Sequence, residues 1–201
     1  MKGVTKLRAF RDEGRTTLRD VARRNRGPVP EGVYHVWRRS AGPTQMYRDD
    51  TDRTLFCRRL AGTIAKYGWT LVGFVLMPTH FHLIVEVRDD VLQPGMRDTF
   101  GPYAQEFNRR HGRSGHLKAG PYKLRRIIDE VALDVAVRYV ARNPVRAKLC
   151  LQPQDWTWSS YRGTAGLAPR FPFVDDELAL ASFAEDRAKA VPRLRAFVEA
   201  L

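Results

Sequence analysis

Apolar positions recur along this chain with two periods, one typical of strands and one typical of helices. Residues 33–37 are β-branched or aromatic and predict a first strand. Asp49 or Asp50 can cap a following helix, which Gly68 ends after about Tyr67. The apolar stripe of this helix consists of Leu55, Phe56, Leu60 and Ile64.

A hairpin follows this helix. Residues 69–77 predict a second strand, Pro78-Thr79 predicts a tight turn, and the run that opens at His80 predicts a third strand. Residues 91–107 predict a further helix, although two prolines and two glycines interrupt its pattern.

The segment that follows this helix predicts one more strand and one more helix. Residues 109–116 are predicted as a loop, and residues 122–128 as a strand rich in Lys and Arg. Asp129 can cap a helix that ends at Asn143-Pro144, with Leu133, Ala136, Val137 and Val140 at helical spacing. The order β-α-β-β-α-β-α predicts an α+β fold, a ferredoxin-like split βαβ sandwich whose antiparallel sheet carries its helices on one face.

Composition and charge place the chain among globular proteins that meet polyanions. Its 201 residues are 43% apolar, which suits a single core, and Lys and Arg exceed Asp and Glu by 35 to 22. The net charge of +13 favours nucleic acid as the partner over a membrane surface.

The two ends differ from the middle of the chain. Residues 1–28 are predicted as a basic N-terminal arm, closed by the breakers Gly27-Pro28-Val29-Pro30. Residues 167–201 are predicted as a C-terminal helical tail, in which Asp175-Asp176 caps a helix through Ala188 and residues 191–201 form a second amphipathic stretch.

Localisation follows from features that the sequence lacks. No apolar run approaches the roughly 20 residues of a spanning helix, and the first residues lack a signal-like apolar segment. Cys57 and Cys150 form neither a CxxC pair nor a disulfide framework. We therefore expect a cytoplasmic protein without a membrane partner.

The His-Phe-His triplet is the first candidate site. Side chains alternate along a strand, so His80 and His82 project from one face while Phe81 and Leu83 project from the other. Two imidazoles aimed at one point can hold a divalent metal, including Mg²⁺ or Mn²⁺ when oxygen ligands complete the shell. Two histidines on a half-polar sheet are the commoner structural alternative.

The helix before Asn143-Pro144 carries the second candidate pair. Tyr139 and Asn143 lie four residues apart, so their side chains share one helix face. Asn143 could supply an oxygen ligand and Tyr139 a nucleophile, if that face meets the histidines. A core-edge tyrosine and a helix-stop asparagine are the structural alternatives.

Basic residues concentrate in the same quarter of the chain. Residues 101–150 hold eleven Lys or Arg against four acids, interleaved with aromatic residues that can stack on bases. The residues predicted to contact nucleic acid are Arg109, Arg110, Arg113, Lys118, Lys123, Arg125, Arg126, Arg138 and Arg142.

Six ordered blocks between residues 29 and 166 carry a family resemblance. They are Val33-Tyr34-His35-Val36, Tyr47-Arg48-Asp49-Asp50, Leu76-Met77-Pro78-Thr79-His80-Phe81-His82-Leu83, Phe107-Asn108-Arg109-Arg110-His111-Gly112-Arg113, Asn143-Pro144-Val145-Arg146-Ala147 and Trp158-Ser159-Ser160-Tyr161. In this order they resemble REP-associated tyrosine transposases, single-tyrosine members of the HUH group. The resemblance implies that residues 29–166 form an HUH transposase-like catalytic domain.

The resemblance implies metal-dependent chemistry on single-stranded or hairpin DNA. It implies that His80, His82 and Asn143 hold Mg²⁺ or Mn²⁺ and that Tyr139 attacks the scissile phosphate. The expected product is a 5′-phosphotyrosine link with a free 3′-OH, which allows strands to be cut and rejoined. Monomers and homodimers both occur among such proteins, so catalysis within one chain or between two chains stays open.

The sequence departs from the family pattern at two places and offers a second candidate nucleophile. Thr79 stands where the family usually has Asn, and residues 119–123 replace the commoner Gln-Gly-Arg-Phe-Lys, which exchanges an arginine for Pro121. Tyr103 is the alternative nucleophile, although only Tyr139 is followed one turn later by Asn143.

Two other functions are compatible with the sequence. The chain could be a catalytically silent hairpin DNA-binding protein derived from a transposase. It could also be a hydrolase whose histidines activate water on a small phosphoester.

Overall fold

The computed structural model describes residues 28–42 and 44–200. The predicted basic arm therefore lies outside the described residues, apart from Pro28. Within them the core elements are strand β1 (Gly32–Arg39), helix α1 (Asp50–Tyr67), strands β2 (Thr70–Met77) and β3 (His80–Val87), helix α2 (Leu92–Arg110), strand β4 (Lys123–Ile127) and helix α3 (Glu130–Arg146). The predicted order of elements is confirmed.

The four strands form one antiparallel sheet in the order β2-β3-β1-β4. This is the strand order of a split βαβ sandwich, because β3 returns between the two strands that α1 connects. The predicted α+β fold class is confirmed. Register places Trp37 opposite His82 on one side and opposite Lys123 on the other, so β1 lies between the histidine strand and the basic strand.

Helices cover both faces of the sheet. Leu83 and Val85 of β3 pack in one core cluster with residues of α1 and α2, among them Phe56 and Phe100. Ile84, which points the other way, packs in a second cluster with Leu133, Val137, Val140 and Ala141 of α3. The expectation of helices on one face holds for α1 and α2. It is wrong for α3, because the apolar stripe of α3 buries itself against the opposite surface.

Alternation along the strands makes the two faces chemically different. The face covered by α3 carries His35 and Trp37 from β1 and His80 and His82 from β3, and we call it the histidine face. The face covered by α1 and α2 carries almost entirely apolar side chains, with Arg38 as an exception.

Several element ends differ from prediction by a turn or less. Helix α2 continues through Gly101 and Pro102 to Arg110. Helix α3 continues through Pro144 to Arg146, since a proline in the last turn removes only one intrahelical hydrogen bond. The backbone N–H of Ala147 still donates to the carbonyl of Asn143 and ends the helix.

The tail is helical but not as predicted. After Tyr161–Thr164 (α4), Asp176 starts only the short helix Glu177–Leu180 (α5). Asp186 then caps the last helix, Arg187–Glu199 (α6), because its side chain accepts a hydrogen bond from the backbone of Ala188. The single helix expected through Ala188 is therefore wrong. None of the helices in the described part of the chain is both long and apolar enough to cross a bilayer.

Two glycines of α2 provide a matched test of this packing. A Cβ at Gly95 would overlap the indole ring of Trp69, whereas a Cβ at Gly101 would meet nothing within 4 Å. We expect Gly95→Ala to lower the free energy of unfolding by about 1–3 kcal/mol through overpacking. Gly101→Ala should raise it by about 0.5–1 kcal/mol, since alanine favours the helix. Urea unfolding of both variants checks this; equal effects would contradict the packing of α2 on Trp69.

Candidate active site on the histidine face

The two histidines of the triplet lie side by side near the start of β3. Their ring centroids are 5.2 Å apart and the rings are nearly perpendicular. His82 is buried, and His80 is partly open to solvent. Nδ1 of His80 lies 3.2 Å from the hydroxyl of Thr79, so the residue that departs from the family pattern still contacts the first histidine.

A third histidine, which the sequence did not indicate as a site residue, joins this pair. Nε2 of His35 lies 2.8 Å from Nδ1 of His82, in hydrogen-bonding distance. The bond occupies Nδ1 of His82 and leaves its Nε2 as the nitrogen that can serve another partner. Trp37 packs beside His35 with ring centroids 4.9 Å apart. Alternation puts His35 and Trp37 on one face, but only the strand register shows that this is the face of His82.

Helix α3 brings the predicted tyrosine and asparagine to the histidines. Oδ1 of Asn143 lies 3.1 Å from Nε2 of His80. The ring centroid of Tyr139 lies 5.4 Å from that of His82 and 5.7 Å from that of His35, both in edge-on contact. The i, i+4 spacing on one helix thus places both side chains over the histidine pair of the same chain.

Tyr139 is partly open to solvent. The residue is 36% exposed, whereas the apolar stripe of α3 is buried. The guanidinium of Arg146 lies 5.3 Å from the centroid of the Tyr139 ring, in cation–π contact. A substrate can therefore reach Tyr139 from solvent at a point where positive charge is already present.

All three imidazoles favour their neutral form. Burial lowers the pKa of His82 to about 2, aided by His35, His80 and Arg39. Burial also lowers the pKa of His35 to about 4, with a contribution from Arg125, and it lowers the pKa of His80. Neutral imidazoles retain a lone pair at pH 7, which is the form that binds a metal ion.

The donor set fits a divalent cation. Nε2 of His80 and Oδ1 of Asn143 are close enough to contact one ion, and the second nitrogen of His82 is not used by His35. Metal-binding histidines usually donate the N–H of their other ring nitrogen to a neighbouring acceptor, and Nε2 of His35 is in position to accept from Nδ1 of His82. Two imidazole nitrogens with an amide oxygen suit a transition metal, and they tolerate Mg²⁺ when further oxygens come from the substrate.

A second cluster of ligand atoms lies elsewhere, at the start of α1. Atoms of Asp49, Asp52 and His111 lie within 4.8 Å of one another, a spacing that could hold a cation. The guanidinium of Arg110 already bridges the two carboxylates, at 2.8 Å from Asp49 and 2.6 Å from Asp52. The backbone N–H of Arg48 also donates to Asp52. Since a cation would compete with Arg110, we interpret this cluster as an ion-pair network that joins α1 to the end of α2.

Removing Asp52 should therefore affect stability. Its carboxylate is fully buried, and the Asp52→Ala variant would leave His111 without this acceptor and Arg110 with Asp49 alone. We expect a loss of about 2–3 kcal/mol in the free energy of unfolding. This loss is smaller than that expected for breaking a fully buried ion pair, because Arg110 is partly exposed. Asp50→Ala, at an exposed carboxylate of the same helix turn, should cost about 1 kcal/mol or less. Equal losses in urea unfolding would contradict the network.

The basic residues predicted to contact DNA fall into separate groups. Lys123 and Arg125 lie on the histidine face, opposite Trp37 and His35 in the register of β1 and β4. Lys118 and Arg126 lie away from that face, and Arg126 donates to the carbonyl of Glu31. Arg109 is exposed near Glu106, and Arg113 contacts Phe107 and Thr44. Arg110 belongs to the carboxylate network.

Arg138 and Arg142 hold the C-terminal helix against α3. Both guanidinium groups donate to the carbonyl of Ala200, and Arg142 also donates to that of Val198 at 3.0 Å. Leu194 and Val198 of α6 are fully buried in the cluster that contains the apolar stripe of α3. The orientation of the tyrosine helix is thus set by the sheet on one side and by the tail on the other.

The rival nucleophile Tyr103 lies far from solvent. Its side chain is buried between α1 and α2, and its hydroxyl donates to the carbonyl of Met46. Burial raises the pKa of this phenol, and nearby Asp52 raises it further. These surroundings suit a structural tyrosine.

Comparison with known proteins gives a match of fold only. Neither a protein-family model nor a curated protein matches the sequence. Among solved structures, a REP-associated tyrosine transposase bound to a REP hairpin matches with a TM-score of 0.61 and 16% identity, over 77% of this chain and 98% of that one. A protein of Deinococcus radiodurans described as a transposase matches with a TM-score of 0.41 and 17% identity, over 63% of this chain and 95% of that one. The chain therefore shares the fold of a REP-associated tyrosine transposase.

Proposed function

We propose that this protein is a single-tyrosine HUH nuclease of the REP-associated transposase type, which nicks and rejoins single-stranded or hairpin DNA. The observation that carries the proposal is the delivery of Tyr139 and Asn143 by one helix to the histidine pair, with Asn143 3.1 Å from His80 and Tyr139 in ring contact with His82. A solved protein of the same fold is bound to a REP hairpin.

His80, His82 and Asn143 would hold a divalent cation, Mg²⁺ or Mn²⁺. When bound, such a cation offsets the negative charge that grows on the phosphate oxygens of the substrate. His35 would keep the His82 ring in the required orientation by accepting a hydrogen bond from Nδ1 of His82 at its own Nε2.

The chemical step assigned to this chain is a transesterification that joins the scissile phosphate to a tyrosine. The Oη atom of Tyr139 forms a bond to the scissile phosphorus and loses its proton to solvent. The bond from phosphorus to the 3′ oxygen of the upstream strand breaks, and that oxygen takes up a proton. The products are a 5′-phosphotyrosine link and a free 3′-OH, and attack by a 3′-OH reverses the reaction and rejoins a strand.

Charges and rings around the site would position the DNA. Lys123 and Arg125 lie across β1 from the histidines and would contact backbone phosphates. Trp37, between them and His82, offers an aromatic surface for a base. Because Tyr139 lies beside the histidines of its own chain, we infer that one protomer can assemble the site, which favours catalysis within a monomer.

The proposal is tested with hairpin DNA that carries unpaired flanks labelled at either end. With Mg²⁺ or Mn²⁺, and not without a metal, the full-length protein should cut this DNA into two fragments. The upstream fragment ends in a free 3′-OH. The downstream fragment is bound to the protein through its 5′ phosphate until a protease digests the protein. Tight binding of the hairpin without cleavage in either metal would favour the alternative, a silent DNA-binding protein. Turnover of a small phosphoester without any adduct would favour the hydrolase.

A further inference from the structure

A groove of about 600 Å³ lies on the face of the sheet opposite the histidines, between α2 and the segment 115–122. Its floor contains Met96, Phe100 and Tyr122. We call it the reverse groove. Its volume is in the range of pockets that hold small organic groups, and its lining is mixed rather than uniformly polar.

The charged side chains among the described residues that line the reverse groove are all basic. They are Arg38, Arg97 and Lys118, and Arg97 also lies 3.7 Å from the carboxylate of Asp98, which is outside the lining. Arg38 is nearly buried beneath the groove, with its guanidinium 4.5 Å from the Phe100 ring centroid and 5.7 Å from that of Tyr122. Burial and the nearby Arg38 lower the pKa of Lys118, which reflects the concentration of positive charge there. An anionic group would reduce this repulsion.

One wall of the groove is formed by α2 and carries small side chains. Along the same side of α2, Gly101 and Ala104 have little or no side chain, which leaves the helix surface flat. A flat ring such as a nucleobase fits this surface.

The groove lies close to the proposed active site across one strand. Trp37 and Arg39 of β1 face the histidines, while Arg38 between them faces the groove. At the end of β4, Tyr122 lines the groove and the next residue, Lys123, stands opposite Trp37 on the histidine face. A strand of DNA held at the histidines can therefore continue past Lys123 into the groove.

We propose that the reverse groove binds a nucleotide of the DNA substrate outside the cleavage site, with its phosphate near Lys118 and Arg97 and its base against the flat surface of α2. The inference takes its ligand class from the proposed function. A second copy of a chain of charge +13 is disfavoured as the occupant by the same positive charge.

The test uses the full chain carrying Tyr139→Phe, so that binding is measured without chemistry. Fluorescence anisotropy with a labelled hairpin bearing unpaired flanks gives the Kd at several salt concentrations. Gly101→Leu fills the groove from an exposed helical position where a Cβ meets nothing within 4 Å. It should weaken binding about tenfold. Lys118→Gln should weaken binding and reduce the slope of log Kd against log salt by about 1.

Two matched variants on α6 serve as controls. Ala196→Leu adds similar bulk and Lys189→Gln removes one charge, both at exposed positions outside the groove. Unchanged DNA binding in Gly101→Leu and Lys118→Gln would overturn the inference. It would also be overturned if these variants shifted the monomer–dimer equilibrium in sedimentation and left DNA binding unchanged. Failure of the proposed function is seen separately, as the absence of any adduct in the chain with Tyr139 intact.

Discussion

Tyr139→Phe should abolish the covalent protein–DNA adduct while leaving the fold and hairpin binding unchanged. The substitution removes only Oη, and the ring keeps its edge-on contacts with His35 and His82. Because the hydroxyl is the proposed nucleophile, we expect strand cleavage to fall by at least about 10³-fold. Denaturing gel electrophoresis of the labelled DNA measures the adduct, and urea unfolding checks the fold.

Tyr103→Phe is the matched control for this experiment. It also deletes one phenol hydroxyl, which here donates to the carbonyl of Met46 in the core. We expect a loss of about 1 kcal/mol in the free energy of unfolding and full adduct formation. Adduct formation that survives Tyr139→Phe and disappears in Tyr103→Phe would reverse the assignment of the nucleophile.

Loss of either histidine of the triplet should abolish both metal binding and strand cleavage. We expect His80→Ala and His82→Ala each to lower strand cleavage by about 100-fold or more, because each removes a ligand of the proposed cation. The readout independent of activity is the rise in Tm on adding Mn²⁺, which follows from binding to the folded state and should vanish in both variants.

The carboxylate network supplies the control for the metal experiment. Asp49→Asn and His111→Gln change the second cluster of ligand atoms, in which Arg110 already bridges Asp49 and Asp52. Both variants should keep the Mn²⁺-dependent rise in Tm, even where the starting Tm is lower. Loss of the rise in these variants, with its retention in His80→Ala and His82→Ala, would place the cation at the network and contradict the proposed site.

Local periodicity predicted much of this arrangement from the sequence. Alternation along a strand was enough to put His80 and His82 on one face, and a spacing of four was enough to put Tyr139 and Asn143 on one side of a helix. Both are properties of a single element, so they do not depend on how the elements pack. The hairpin turn at Pro78-Thr79 was equally local.

Features that depend on contacts between distant segments could not be predicted in this way. His35 reaches His82 only because β1 pairs with β3 in one register, and a shift by one residue would turn it to the other face. In the sequence, Arg110 and Arg142 are both basic residues predicted to contact DNA. In the structure, Arg110 pairs with the buried Asp52, and Arg142 donates to a carbonyl at the end of α6. The placement of α3 over the histidine face likewise follows from packing rather than from its own sequence.

The central claim is that the 5′ end of the cleaved DNA becomes bonded to Tyr139. Trypsin separates the two candidate nucleophiles, since Tyr139 falls in the peptide 139–142 and Tyr103 in the peptide 98–109. After incubation with hairpin DNA and Mn²⁺, nuclease trimming and tandem mass spectrometry should find the nucleotide mass on peptide 139–142, localised to its tyrosine. A nucleotide on peptide 98–109, or cleaved DNA with no modified peptide, would contradict the assignment.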